Sequence, residues 1–154
     1  MMNRALITGL LALSLNAAFA ADTSPAPKDA LAGARAQIAA KNWAAAIDEL
    51  KRVNEVTSAD WNNLMGYSLR KQSTPDLAGS EKFYNEALRI DPQHRGTLEY
   101  SGELYLMKGD LATAEKRLAA LDKACTLPCA EYTALKQSIA RYKANGNKSA
   151  SSDY

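Results

Sequence analysis

The feature that most constrains this chain is a spacing. Four columns of side chains return every 34 residues: Trp43, Leu77 and Leu111; Ala46, Ser80 and Ala114; Leu50, Tyr84 and Leu118; Val53, Ala87 and Leu121. Within one copy they stand at i, i+3, i+7 and i+10, which is one face of a helix. The second column holds only small residues, and the third holds large ones. Where two helices cross closely a larger side chain would push them apart, because interiors pack to crystal density. Where successive units meet, a large side chain fills the layer between them. A generic bundle shares the 3.6-residue period. It has no reason to return small residues at a fixed longer interval.

The chain breakers keep the same phase. Asp91-Pro92 ends a helix, since proline disfavours the helical conformation in the residue before it. Lys108-Gly109-Asp110 is a turn; Lys41-Asn42 is its counterpart without glycine; Ser73-Thr74-Pro75-Asp76 is another, longer by a two-residue insertion. The pattern predicts helices over 29–40, with Asp29 as N-cap, and over 43–56, 61–72, 77–90, 94–108, 111–123 and 130–145. The polar link Thr57-Ser58-Ala59-Asp60 supplies further caps and is two residues short against the period. The last helix places Tyr132, Leu135, Ile139 and Tyr142 on one face, and Gly146 stops it. Ala34, Gly66 and Gly102 are the small residues on the first helix of each pair. Glycine inside a helix costs about 1 kcal/mol against alanine, which close packing explains. Frequent alanine and sparse β-branched residues favour helix throughout.

Residues 80–121, SEKFYNEALRIDPQHRGTLEYSGELYLMKGDLATAEKRLAAL, place Ala87, Pro92, Gly102, Tyr105, Ala114 and Leu118 where small, breaking and large residues fall in a stacked helical hairpin. This resembles the tetratricopeptide repeat. With NLMGYSLRK and CAEYTALKQSIARYK, most of the chain after residue 20 is similar to small secreted bacterial tetratricopeptide proteins. The resemblance implies an all-α, right-handed α-solenoid of about three hairpins, at about 29–58, 59–92 and 93–124, with a capping helix at 130–145. It also implies a concave groove lined by the first helices. Its candidates are Arg35 and Ile38, then Asn63, Tyr67, Arg70 and Lys71, then Glu99, Glu103, Leu106 and Met107. Asn, Tyr and Arg suit an extended peptide and its charges. Some family members clamp a C-terminal carboxylate with basic residues from three repeats. Glu99 and Glu103 stand where that clamp needs basic residues.

Met1–Ala20 has the form of a secretory signal: Arg4, an apolar run over Ala5–Leu15, and a small-x-small site at Ala18-Phe19-Ala20 with cleavage expected after Ala20. The run is shorter than the roughly 20 residues of a membrane span, so no membrane insertion is expected once it is removed. The expected destination is a bacterial periplasm. Ala21–Lys28 is expected as a flexible leader, and 146–154 as a disordered tail. In an oxidising compartment Cys125 and Cys129 are expected as a disulfide stapling the turn before the last helix. A redox pair or copper(I) site is the alternative, because soft thiolates prefer that ion.

The remaining chemistry is sparse. A net charge of +2 argues against nucleic acid. One histidine and two cysteines leave little for a zinc site. No phosphate-cradling loop or nucleotide fingerprint is present, so no cofactor and no metal is expected. Glu99 and Glu103 share a helix face, but nothing in the sequence excludes water there. His94 is expected as a surface residue beside the Asp91-Pro92 break. The expected function is a non-enzymatic adaptor that binds a segment of another envelope protein. The alternative is a thiol- or copper-handling accessory protein using Cys125 and Cys129. The sequence names neither the partner nor an oligomeric state.

Overall fold

The structure is a computed structural model describing residues 29–127 and 129–149. The expected signal (1–20), the leader (21–28) and the end of the expected tail (150–154) lie outside the described residues. Among the described residues there are seven helices and no strand, so the fold is all-α. The helices are α1 (Ala32–Ala39), α2 (Trp43–Val53), α3 (Ala59–Lys71), α4 (Leu77–Ile90), α5 (Arg95–Met107), α6 (Leu111–Ala124) and α7 (Ala130–Ala144).

Local chemistry accounts for most of the boundaries. Ser58, Asp76 and Asp110 accept from the backbone N–H groups of Trp61, Gly79 and Thr113, which would otherwise be unpaired at the starts of α3, α4 and α6. His94 does the same for α5 through its ring Nδ1, which accepts from Thr97 N at 3.1 Å. Asp29 does not cap α1 as expected. Its carboxylate takes the Leu31 N–H instead, and Leu31 stands at the cap position without a side-chain bond. The second helix stops at Val53, short of the expected Val56, because Asn54 turns left-handed at φ 56°.

Consecutive helices pack against one another throughout. In addition α1 touches α3, α3 touches α5, and α5 touches α7, whereas α2, α4 and α6 do not meet. The odd helices therefore form one continuous layer, and the even helices pack beside it without meeting one another. The recurring columns differ in depth: Trp43, Leu77 and Leu111 are only half-buried, as are Val53 and Leu118. Ala46, Ser80 and Ala114 are fully buried, as are Leu50, Tyr84, Ala87 and Leu121.

Gly66 shows why the crossings need small residues. A Cβ there would stand 2.8 Å from the Tyr84 ring and 3.1 Å from the Ser80 carbonyl. A Cβ on Gly102 would stand 2.5 Å from Leu135, so this glycine admits α7 rather than its hairpin partner α6.

The apolar core falls into two clusters. One gathers Leu31, Ala34, Ile47, Leu50, Trp61, Leu64 and Met65. The other gathers Leu98, Leu106, Ala114 and Leu121 with Leu135, Ile139 and Tyr142, the last three being the predicted face of α7 with Tyr132 at its edge. Ser68, Arg70, Ser80 and Tyr84 are buried on α3 and α4 yet belong to neither cluster. Trp61 Nε1 donates to the Leu50 carbonyl at 2.7 Å, and Asn62 Nδ2 donates to the carbonyls of Val56 and Ser58 at 2.8 Å. These bonds hold the shortened link between α2 and α3.

Lys41 takes φ 58°, the left-handed conformation that Gly109 takes at φ 79° in the equivalent turn. A Cβ makes that conformation unfavourable by about 1 kcal/mol. Replacing Lys41 with glycine should therefore stabilise the fold by about 1 kcal/mol. Urea unfolding of the two proteins checks this, and an unchanged or lower midpoint contradicts it.

Candidate ligand-binding face

The layer of α1, α3, α5 and α7 carries an open cleft of about 430 Å³. Arg35 comes to it from α1; Asp60, Asn63 and Leu64 from α3; Arg95, Gly96 and Tyr100 from α5; and Glu131 from α7. The loop before α5 adds Asp91, Gln93 and His94. Every odd helix thus contributes to one concavity.

Polar bonds between α3 and α5 form its wall. Asp60 Oδ1 lies 3.0 Å from His94 Nε2, and its other oxygen accepts from Arg35 Nη2 at 3.2 Å. Burial works against ionising Asp60, but the His94 hydrogen bond and the Arg35 charge outweigh it and hold the carboxyl below the usual range. His94 Nδ1 accepts from Thr97 N, which leaves Nε2 as the hydrogen-bearing nitrogen of the neutral ring and the donor to Asp60. Thr97 Oγ1 lies 2.8 Å from His94 Nδ1 and 3.1 Å from Asn63 Oδ1, so its single hydrogen is shared between two acceptors.

Beside the cleft lies a buried ion pair. Arg70 Nη2 donates to Glu103 Oε2 at 2.7 Å, with the arginine side chain only 1% exposed. Its guanidinium stands 5.6 Å from the centre of the Tyr67 ring and 5.9 Å from that of Tyr100, and these rings lie 4.6 Å apart. Trp43 meets Tyr67 edge-on at 5.9 Å and extends the aromatic row to α2. Met107 Sδ lies 3.9 Å from Arg70 Nη1. Ser138 donates to Glu103 Oε1 at 3.3 Å and ties the pair to α7. Tyr84 faces the guanidinium, yet neither its hydroxyl nor Arg70 Nε completes a well-formed hydrogen bond. Burial pushes the Tyr84 hydroxyl's pKa up, so it is a neutral neighbour.

Glu99 is half-buried and has no hydrogen bond or ion pair among the described residues. Burial, with the charges of Glu103 and Glu131 added, pushes its carboxyl up to about 7, while Arg70 pulls the other way. The Tyr100 hydroxyl rises to about 12, through burial first and the Glu99 charge second.

The predicted groove residues thus separate into groups. Arg35 and Asn63 line the cleft; Tyr67, Glu103 and Met107 surround Arg70 beside it. Arg70 does not face a ligand as expected. It is sealed in, because Glu103 and two rings close over it. Ile38 and Leu106, also expected in the groove, pack into the two apolar clusters. Lys71 lies at a separate hollow with Trp43, Ala44, Gln72 and Ser73. Asp60, His94 and Thr97 were not singled out as site residues. Both bonds of their network to α3, Asp60 with His94 and Asn63 with Thr97, span 34 residues, so the repeat interval itself could have paired them.

Cys125 and Cys129 form a disulfide with sulfurs 2.06 Å apart, in the link between α6 and α7. No helix among the described residues is long and apolar enough to cross a membrane. A comparison with protein-family models finds no match, and comparisons with curated proteins and with solved structures find none.

Two predictions concern this face. Arg70→Met leaves Glu103 charged and unpaired at a largely buried place, and should cost about 3 kcal/mol of stability. The double variant Arg70→Met/Glu103→Leu should recover most of that loss in the same denaturation experiment, because the stranded charge is gone. For Glu99, the folded chain keeps a proton that the unfolded chain gives up at lower pH. Its contribution to stability is therefore complete below the ordinary glutamate range and is lost as pH rises through about 7. Glu99→Gln should raise the melting temperature at about pH 8 and leave it unchanged at about pH 4. Equal shifts at both values would contradict this account.

Proposed function

We propose that this chain is a non-catalytic binding module of the tetratricopeptide type. Its helices act as three stacked hairpins and a cap, the solenoid that the sequence resemblance implies. Its inner face holds an extended segment of another protein of the cell envelope. One observation carries the reading: a single concavity is lined from all four odd helices, while the even helices do not meet one another. An inner layer in contact and an outer layer spread apart is how stacked hairpins produce a concave surface. The cleft is polar, with Asn63, Gln93 and Tyr100 among its lining and charges of both signs. That chemistry matches a peptide backbone and its side chains better than a compact apolar ligand.

The compartment belongs to the same proposal. The Met1–Ala20 pattern directs the chain out of the cytoplasm, and the bridged Cys125 and Cys129 suit an oxidising destination. In this reading the disulfide is a staple for the α6–α7 link, not a thiol- or copper-handling centre. Because both sulfurs are engaged, neither is a free thiolate for a soft metal.

Site-specific photocrosslinking in living cells tests the adaptor reading. A photoreactive residue at Tyr100 should yield a covalent adduct with one envelope protein. The same residue at Lys123, exposed on α6, should not. Adducts of equal yield at both positions, or none at Tyr100, would reject the groove assignment.

A further inference from the structure

We propose that two copies of this chain pair edge to edge about a two-fold axis, each placing Leu127 in an apolar hollow beside Trp61 and Phe83 of the other. This surface is separate from the cleft, and the pairing does not depend on the groove reading above.

The first support is a knob and a socket on one edge. Among the described residues, Val56 and Leu127 are the exposed large apolar side chains, at 49% and 79%. They stand on different links, yet those links are neighbours in space. Asp60 at the start of α3 meets His94 at the start of α5, and Arg95 of α5 approaches Glu131 at the start of α7. The links that enter α3, α5 and α7 therefore lie side by side. Val56 is on the first, Leu127 is on the third, and the polar Asp91-Pro92-Gln93 lies between them. Val56 borders a hollow of about 340 Å³ that Trp61, Phe83 and Lys82 also line. The Trp61 and Phe83 rings meet there edge-on, 5.8 Å apart. Leu127 instead stands out from a loop that the Cys125–Cys129 bridge closes. A loop held in this way loses little freedom when its tip is bound.

The second support is that the edge complements itself. The middle link lies one hairpin from the socket and one from the knob. A half-turn about an axis through that link, normal to the layer of odd helices, brings each Leu127 to the other copy's hollow. Such a contact is made twice and closes on two copies. Charge agrees with it. Lys82 lines the socket and Asp122 lines the surface beside Leu127. Both are exposed, and neither has an ion pair among the described residues. Glu86, the other charge at the socket, is already held by Arg89 at 2.7 Å. The socket thus carries a cation without a counter-ion, and the knob an anion without one. A second copy pairs these charges while it takes Val56 and Leu127 out of water together. A foreign apolar segment in the hollow would leave Leu127 and Asp122 as they are.

Sedimentation velocity of the full chain over a range of concentrations tests this. The mass should rise from one copy to two and stop there, with a midpoint in the micromolar range that suits a small interface. Leu127→Ser should weaken the pairing about tenfold or more, since each dimer loses the burial of two leucines. Lys82→Glu should weaken it too. Lys82→Glu/Asp122→Lys should restore it, because the pair is rebuilt with its signs exchanged. All three positions are exposed, so each variant should keep its helical circular dichroism. A photoreactive residue at Lys123, next to Asp122, would capture only a second copy, which its mass distinguishes from a foreign partner. A chain that stays monomeric throughout, a mass that climbs beyond two copies, or a dimer unchanged by Leu127→Ser overturns the proposal. A double variant no tighter than Lys82→Glu alone overturns it as well.

Discussion

Close approach between helices is the constraint on which the rest of this structure depends. At Gly66 the backbone of α3 lies so near α4 that an added methyl would touch the Tyr84 ring and the Ser80 carbonyl. At Gly102 the same closeness brings Leu135 of α7 against α5. Helix-interior glycine is unfavourable in isolation, so its place at these two crossings reflects packing that a larger residue would block. Dispersion contacts of this kind are individually small, but they fall away within an ångström. The small columns at Ala46, Ser80 and Ala114, all fully buried, set the same spacing from the other side.

Polar and aromatic groups are also buried outside the two apolar clusters: Ser68, Arg70, Ser80 and Tyr84, with Arg70 reaching across to Glu103 of α5. A buried ion pair contributes little net stability compared with apolar residues of similar shape, since both partners lose their hydration. What it does here is hold the relation of α3 to α5 and position Tyr67 and Tyr100 over the guanidinium. The Asp60–His94 and Asn63–Thr97 bonds make the same connection nearer the helix starts. The cleft is therefore walled by groups that fix the neighbouring helices.

Much of the helical order was legible residue by residue. The turns that close on Asp76 and Asp110 mark the starts of α4 and α6, and Asp91-Pro92 the end of α4, because turn residues and breakers act within a few residues of themselves. The α1 start was misjudged because Asp29 has a nearer N–H to accept from, that of Leu31. The two-residue shortfall before α3 and the longer turn after it offset one another, which is why the outer columns stay in register at 34. The face of α7 followed from periodicity alone, since Leu135, Ile139 and Tyr142 have no other way to leave water.

By itself the sequence determined that the chain is helical, where its helices turn, and which side chains are too small or too apolar to face solvent. These are properties of neighbours along the chain and of a period that can be counted. Only the tertiary structure decided which charges are used up inside. Arg70 and Lys71 are adjacent in sequence, yet one is sealed against Glu103 and the other lies at a separate hollow. Tertiary structure likewise gave Asn63 of α3 its partner in Thr97 of α5. The reason is that a polar side chain's role is set by what another helix brings within about 3 Å of it, and that distance is not written in any local pattern.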